Sequence, residues 1–154
     1  MPPLRVSEIS ELEQHVGTDL GTSSWVLVDQ ARIDAFAEAT GDHQWIHVDP
    51  VRAAAESPFG ATIAHGYLTV SLAPALLPEL ISVDACSRVI NSGIEKLRLK
   101  EPVTAGSRVR IGATLTHVRE IAGGGARVAL SLRWEVEGAK RPAGTGEVVY
   151  VYFR

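Results

Sequence analysis

Residues 128–136 of this chain alternate between apolar and polar or small side chains, and this alternation constrains the fold more than any other feature. The apolar positions are Val128, Leu130, Leu132, Trp134 and Val136. A period of two over that length is typical of an antiparallel strand with one buried face. The chain must therefore build a sheet, and the sheet must bury its apolar face under a second layer.

Other segments also have strand patterns, and most of them lie in the second half of the chain. Residues 109–115 alternate in the same way, and the three glycines 123–125 predict the turn to the next strand. Residues 148–153 are apolar on both faces, which predicts a central strand. Residues 25–28 predict a short strand in the first half.

The rest of the first half has the patterns of helices. Residues 7–16 predict a short amphipathic helix. Asp29 and Gly41 are residues of the types that start and end helices, and they bracket a second helical pattern. Asp49 followed by Pro50 predicts the start of a third helix.

The most apolar helix candidate spans residues 66–80, and Pro74 predicts a kink within it. Helices followed by a run of strands indicate the α+β class, here an antiparallel sheet wrapped around a long central helix. We expect residues 1–154 to form a single domain, with residues 1–20 as an N-terminal helical extension.

Charge and composition exclude several functional classes. The formal net charge is −3, so nothing favours nucleic acid or an anionic membrane surface as a partner. Cys86 is the only cysteine, which excludes an internal disulfide. No apolar run has the length of a signal peptide or a membrane span, so we expect a cytoplasmic protein. Nucleophile-elbow, phosphate-loop and dinucleotide motifs are also absent.

Asp42 and His47 are the first candidates for chemistry. Five positions apart in a connection, an acid and an imidazole can both reach one water molecule. Histidine titrates near neutrality, so it can take and return a proton, while aspartate can orient the water or act as the base itself. On spacing alone, a capping role for Asp42 and a hydrogen-bonded loop role for His47 explain the pair at least as well.

His65 and Gly66 are the second candidates, because they precede the most apolar helix. The N–H of Gly66 would lie at a helix start, where free donors face a positive dipole end. Such a donor can stabilise a thioester carbonyl that becomes an enolate. A glycine that only lets the chain turn into the helix is the simpler alternative.

Together these segments resemble the MaoC-like dehydratases, which include (R)-specific enoyl-CoA hydratases and nodulation-protein-N-like proteins. The family motif is Gly-Asp-x-Asn-Pro-x-His, followed by an Asp-Pro step and later by His-Gly. The matching residues are Gly41-Asp42-His43-Gln44-Trp45-Ile46-His47, Asp49-Pro50 and His65-Gly66. Residues 96–106 also look like the strand and turn that precede the last strands of the family, so the resemblance covers roughly residues 20–153.

The resemblance implies a hot-dog fold, a homodimer and a substrate carried as a thioester on coenzyme A or acyl carrier protein. It implies reversible hydration of trans-2-enoyl-CoA to (R)-3-hydroxyacyl-CoA in fatty acid metabolism, with no cofactor beyond the coenzyme A of the substrate. It places catalysis on Asp42 and His47 and a carbonyl contact on Gly66. His65 is a further expected substrate contact.

Two departures from the family pattern affect the pocket. Gln44 and Trp45 stand where the motif has Asn-Pro, so the amide is kept while the proline becomes a much larger ring. We expect both to contact the substrate. Pro74 stands where some members carry a pocket serine, which affects the preference for acyl chain length.

Basic residues concentrate between positions 88 and 110. Lys96, Arg98 and Lys100 are spaced two apart, which predicts one strand face, and Arg108 and Arg110 would face the same way after the turn. Such a patch could bind the phosphates of coenzyme A. A solvated outer face of the sheet is the simpler explanation.

No metal site is expected. His43 and His47 are four apart, but they lack the intervening glutamate and the helix of the zinc motif HExxH.

Two rival functions remain open. A hot-dog thioesterase would need an activating carboxylate on the central helix, where only Glu79 is available, at the far end. A non-catalytic thioester-binding or partner subunit of a dehydratase assembly would not need Asp42 and His47.

Overall fold

A six-stranded antiparallel sheet dominates the structure, a computed structural model that describes residues 1–154. The strands of the chain are β1 (Leu4–Val6), β2 (Asp19–Thr22), β3 (Val26–Val28), β4 (Ile81–Val83), β5 (Arg88–Leu99), β6 (Ser107–Glu120), β7 (Ala126–Val136) and β8 (Gly144–Phe153). The large sheet has the order β2-β6-β7-β8-β5, and β3 also pairs with β6. Strands β1 and β4 form a separate parallel pair.

Short helices fill most of the first half of the chain. They are α1 (Gln30–Thr40), α2 (Trp45–Val48), α3 (Pro50–Glu56), α4 (Gly66–Ser71) and α5 (Ala73–Leu76), with 3₁₀ helices at Ile9–His15 and Leu77–Glu79. The expected α+β class is therefore confirmed. No helix has both the length and the apolar character needed to cross a membrane.

The alternation of apolar residues along residues 128–136 defines the buried face of β7. Val128, Leu130, Leu132 and Trp134 are at most 2% exposed, and they belong to the same core cluster as Leu68 and Leu76 of the helical segment. The loop through the three glycines joins β6 to β7, and β8 has a neighbour on each side, both as predicted. The sheet and the central helices therefore share one core.

The central helical segment differs from the prediction of one long helix. It is divided into α4, α5 and a 3₁₀ turn, with Pro74 in the first turn of α5 and Pro78 in the 3₁₀ turn. Proline lacks the N–H that would bond the preceding turn, and its ring collides with the carbonyl four residues back. The segment stays buried because Leu72, Ala73 and Leu76 still face the core.

The N-terminal extension, expected to be helical, contains strands as well as a helix. The 3₁₀ helix Ile9–His15 lies between β1 and β2, so the first twenty residues contribute two strands as well as a helix. Ile9 and Leu12 are buried, but Val16 is 45% exposed because it follows the end of the helix.

The residues predicted to start and end helices flank the candidate site. Asp29 accepts a hydrogen bond from the N–H of Arg32, and Gly41 ends α1 with the positive φ of 80° that glycine adopts without strain. Asp49 accepts from the N–H of Arg52, with Pro50 in the first turn of α3. These ends fix the connection 41–49 in place.

The buried face of β7 predicts the effect of truncating its side chains. Leu130→Ala should lower the free energy of unfolding by about 2–5 kcal/mol, because Leu130 is 0% exposed and its loss leaves a cavity. Urea denaturation measures this change. Leu27→Ala is the control: that side chain is 48% exposed on β3 and should cost about 1 kcal/mol or less. Equal losses would contradict the assignment of the buried face.

Candidate active site

Asp42 lies directly after the end of α1, in the turn that leads to α2. Its N–H donates to Thr40 Oγ1 at 3.3 Å, and its Oδ1 accepts from the N–H of Gln44 at 3.3 Å. The side chain is 53% exposed, so the carboxylate is accessible to solvent while the backbone is held in place.

His47 lies in the single turn of α2 and is 7% exposed, so it is buried in a short helix rather than in the loop that the sequence predicted. Its Nδ1 is 2.6 Å from the carbonyl oxygen of Ile63. A carbonyl only accepts, so Nδ1 carries the proton and, in the neutral ring, Nε2 is the basic nitrogen. The N–H of Ile63 donates to Ile46 O at 3.0 Å, which ties the same turn down a second time.

Gln30 supports His47 from α1. Its side-chain nitrogen donates to the carbonyl oxygen of His47 at 2.7 Å, and its side-chain oxygen accepts from the Thr62 hydroxyl. The turn that carries His47 is thus bonded to both α1 and the segment before α4. Sequence reasoning missed Gln30 and Thr62, because nothing local marks a partner 32 residues away.

His65 connects the two candidate residues. Its ring stacks on that of His47, with centroids 3.9 Å apart and planes 24° apart, and Phe36 packs on it at 4.9 Å. Its Nε2 donates to the carbonyl oxygen of Asp42 at 2.9 Å, while the carboxylate oxygen Oδ2 is farther away, at 3.9 Å. At 3% exposure, His65 is placed to position Asp42 and His47, and its expected contact with a substrate stays a prediction.

Asp42, His47 and His65 bring one ligand-type atom each to within 4.8 Å of one another. A metal would need the lone pairs of these atoms to converge. The two imidazole rings are stacked, so their lone pairs lie in nearly parallel planes, and the Nδ1 of His47 already has a hydrogen-bond partner. The arrangement suits proton transfer between an accessible carboxylate, a buried imidazole and a water better than it suits an ion.

Gly66 is the first residue of α4 and borders a cavity of about 220 Å³. An added Cβ at this position would collide with a methyl group of Leu99, so Leu99 packs directly on the glycine. The first N–H groups of a helix have no partner within the helix. The cavity also borders Lys100 of the expected basic patch.

Gln44 and Trp45 lie at the start of α2 beside Asp42. Gln44 is exposed and its N–H bonds the carboxylate of Asp42, while the guanidinium of Arg52 lies over the Trp45 ring at 4.3 Å. Their contact with a substrate stays a prediction.

The predicted basic patch is not one surface. Arg108 and Arg110 lie on β6, which β7 and β8 separate from β5, so they are not next to Lys96 and Arg98 in the sheet. A register shift between Glu95 and Arg98 also interrupts the alternation within β5.

The shift has a local cause. Lys96 adopts a φ of 53°, the one positive value at a residue other than glycine. Lys96 and Arg98 are exposed on β5, and only Lys100 of the three lines the cavity beside Gly66.

The stack around His65 predicts a measurable loss of stability. His65→Ala should lower the free energy of unfolding by about 2 kcal/mol or more, because it leaves a cavity between Phe36 and His47 and removes the donor to Asp42 O. Denaturant titration measures the loss. His43→Ala is the control, since that side chain is 49% exposed and only approaches Glu38 at 3.5 Å; it should cost about 0.5 kcal/mol or less. Equal effects would exclude a supporting role for His65.

Comparison with known proteins identifies the family to which this chain is similar. A family model described as the MaoC like domain matches residues 11–132. The chain is 43% identical to 3-hydroxyacyl-thioester dehydratase Z of Mycobacterium tuberculosis over 144 residues, 94% of this chain and 95% of that protein. It is 40% identical to Nodulation protein N of Rhizobium meliloti over 152 residues, 98% of this chain and 92% of that protein.

A solved structure agrees with these relatives. The (R)-hydratase from A. caviae involved in PHA biosynthesis has a TM-score of 0.70 and 29% identity to this chain, covering 88% of this chain and 94% of that one. The family match includes the helices and turns that carry Asp42, His47 and His65. The chain belongs to the MaoC-like dehydratases.

Proposed function

We propose that this protein is a hydro-lyase that reversibly hydrates trans-2-enoyl-CoA to (R)-3-hydroxyacyl-CoA in fatty acid metabolism. One observation carries the proposal: a buried imidazole with Nδ1 bonded to Ile63 O lies beside the accessible carboxylate of Asp42. The names of two relatives, a 3-hydroxyacyl-thioester dehydratase and an (R)-hydratase, support it.

The chemistry needs one proton removed and one delivered. The water oxygen bonds to Cβ as a proton leaves the water for the Asp42 and His47 pair. The pair then gives a proton to Cα, so it ends the step in its starting protonation state. In the neutral ring His47 Nε2 is a basic nitrogen, and Asp42 orients the water. Because the groups are so close, they share the exchanged protons rather than act independently.

The carbonyl of the thioester becomes an enolate during the reaction. The N–H of Gly66 at the start of α4 stabilises the developing charge, because a helix start presents free donors. The step is redox-neutral, and Asp42 and His47 exchange the protons with water and substrate, so we propose that no cofactor and no metal are needed.

The thioesterase alternative has little support from the central helical segment. Glu79, its only acidic residue, accepts from both the N–H and the hydroxyl of Ser24, at 2.7 and 2.8 Å. It is therefore engaged at the far end of the segment from Gly66. A carboxylate held there does not activate water at the thioester.

Substitution of the pair tests the proposal. Asp42→Asn and His47→Gln should each lower kcat by about 10²–10⁴, the usual contribution of a positioned acid or base. Loss of the conjugated enoyl chromophore measures hydration. Glutamine is preferred to alanine at position 47 because the histidine is buried. His43→Gln, at a half-exposed neighbour, should keep full activity.

Several outcomes would contradict the proposal. Near-full activity in either variant would remove that residue from the mechanism. An (S)-3-hydroxyacyl product, identified by chiral analysis, would overturn the assigned stereochemistry. Release of free coenzyme A without hydration would support the thioesterase. Binding of enoyl-CoA without any reaction would support a non-catalytic subunit.

We also propose a homodimer that acts in the cytoplasm. Strand β5 ends the large sheet, and its outer edge has no neighbouring strand. Val89 and Ile90 on this strand are 46% and 49% exposed, and an exposed apolar edge strand favours pairing with another strand. A two-fold axis would pair the edge with its own copy. The single cysteine accords with a reducing compartment.

The oligomeric state can be measured directly. Light scattering should give twice the chain mass of 16.5 kDa at micromolar concentration. Ile90→Asp should shift the equilibrium toward the monomer, because it places a charge on the proposed edge. Val16→Asp is the control and should leave the dimer intact. Val16 is similarly exposed, but it lies near β2, at the opposite edge of the sheet from β5. A stable wild-type monomer would contradict the dimer.

A further inference from the structure

Three cavities follow one another along the surface from Gly66. The first, beside Gly66, also borders Glu101 and Pro102. The second, of about 320 Å³, shares those two residues and reaches Lys140 and Arg141. The third, of about 300 Å³, shares Lys140 and Arg141 and extends to Trp25. Because neighbouring cavities share lining residues, the three lie next to one another along one surface, called here the cationic groove.

Backbone hydrogen bonds hold the two sides of the groove together. Residues 137–143 connect β7 to β8, and the carbonyl oxygen of Ala143 accepts from the N–H groups of Lys100 at 2.7 Å and Glu101 at 3.3 Å. The N–H of Ala143 donates to Trp134 O at 2.7 Å. The connection that carries Lys140 and Arg141 is therefore fixed beside the end of β5 that covers Gly66.

The far end of the groove has excess positive charge. Four cations line the second and third cavities against two carboxylates: Arg110, Arg133, Lys140 and Arg141 against Glu101 and Glu135. The net charge of this lining is therefore +2. The remaining acid of the connection, Glu137, is paired with Arg108.

Two of these four cations, Lys140 and Arg141, are largely unpaired with carboxylates. Glu135 accepts from both Arg110 at 2.7 Å and Arg133 at 2.6 Å, so one carboxylate serves two guanidinium groups. Burial alone would raise the pKa of Glu135, but the two arginines outweigh burial and hold it below the usual range. Arg141 approaches Glu101 only at 3.9 Å, and exposed Lys140 makes no ion pair.

We propose that the phosphates of coenzyme A bind Lys140 and Arg141 at the far end of the cationic groove. The proposal rests on the proposed function, since the thioester would lie at Gly66. Coenzyme A has an uncharged pantetheine arm next to the thioester and its phosphates at the other end. The groove has a similar order. Leu99 and Pro102 lie near Gly66, together with Lys100 and Glu101, and the weakly paired cations Lys140 and Arg141 lie farther away.

The aromatic end of the groove suits the remaining part of coenzyme A, its adenosine. The guanidinium of Arg110 lies over the Trp25 ring at 4.4 Å, giving a flat cationic and aromatic surface beyond Lys140 and Arg141. Lys96 and Arg98, the phosphate contacts expected from the sequence, line none of these three cavities. The proposed phosphate site is thus different from the one that the sequence predicted.

Two thioesters of the same acyl group separate phosphate binding from catalysis. Lys140→Ala combined with Arg141→Ala should raise KM about tenfold for the coenzyme A ester, and by less than about twofold for the N-acetylcysteamine ester, which has no phosphates. The KM of the wild type for the coenzyme A ester should rise with salt, and the double variant should lose most of this dependence. Arg32→Ala combined with Arg119→Ala removes the same charge from exposed positions outside the groove and should change neither KM.

Equal changes in KM for both esters would overturn the proposal. A larger rise in KM for the coenzyme A ester from Lys96→Ala combined with Arg98→Ala would also overturn it. If the wild type hydrates neither ester, the proposed function fails and calorimetry with free coenzyme A tests the groove separately. Weaker binding by the Lys140 and Arg141 variant would then support the phosphate site. Unchanged binding would overturn it.

Discussion

The short contact between His47 Nδ1 and the carbonyl oxygen of Ile63 determines what the rest of the site can do. At 2.6 Å it fixes the proton on Nδ1 and the orientation of the ring, so Nε2 is the nitrogen left for chemistry. The neighbouring bond from Ile63 N–H to Ile46 O holds the same turn from the backbone. Without this pair of bonds, a four-residue helix would have little to keep its histidine in one position.

The segment that carries Ile63 also joins the site to the sheet. Ile63 forms an isolated bridge with Thr104, and the N–H of Ala64 donates to Val103 O at 2.7 Å. The next residue, His65, stacks on His47 and donates to the backbone of Asp42. A few consecutive residues therefore link the connection between β5 and β6 to both candidate catalytic residues, and the core of the sheet supports the geometry of the site.

Much of the fold could be predicted because its signals are local. Alternation in β7, the cap at Asp29 and the turn at Gly41 depend on residues within a few positions of one another. The same holds for Asp42 and His47, which one short connection brings together. Pro74 predicted a kink in the central helix from the sequence. The lengths of the helices on either side of it could not be predicted, because burial of the flanking residues decided how much helix remained.

The sequence by itself determined the α+β class and the strands β3, β6, β7 and β8, because each follows from neighbouring residues. The catalytic pair of Asp42 and His47 was predicted from the family resemblance. Only the tertiary structure decided that His65 stacks on His47 and that two strands, β7 and β8, separate Arg110 from β5. It also brought Lys140 into the lining of the cationic groove, which begins at Gly66. Strand order and contacts between distant residues depend on how the whole chain buries its apolar surface and pairs its backbone, and no local pattern encodes that choice.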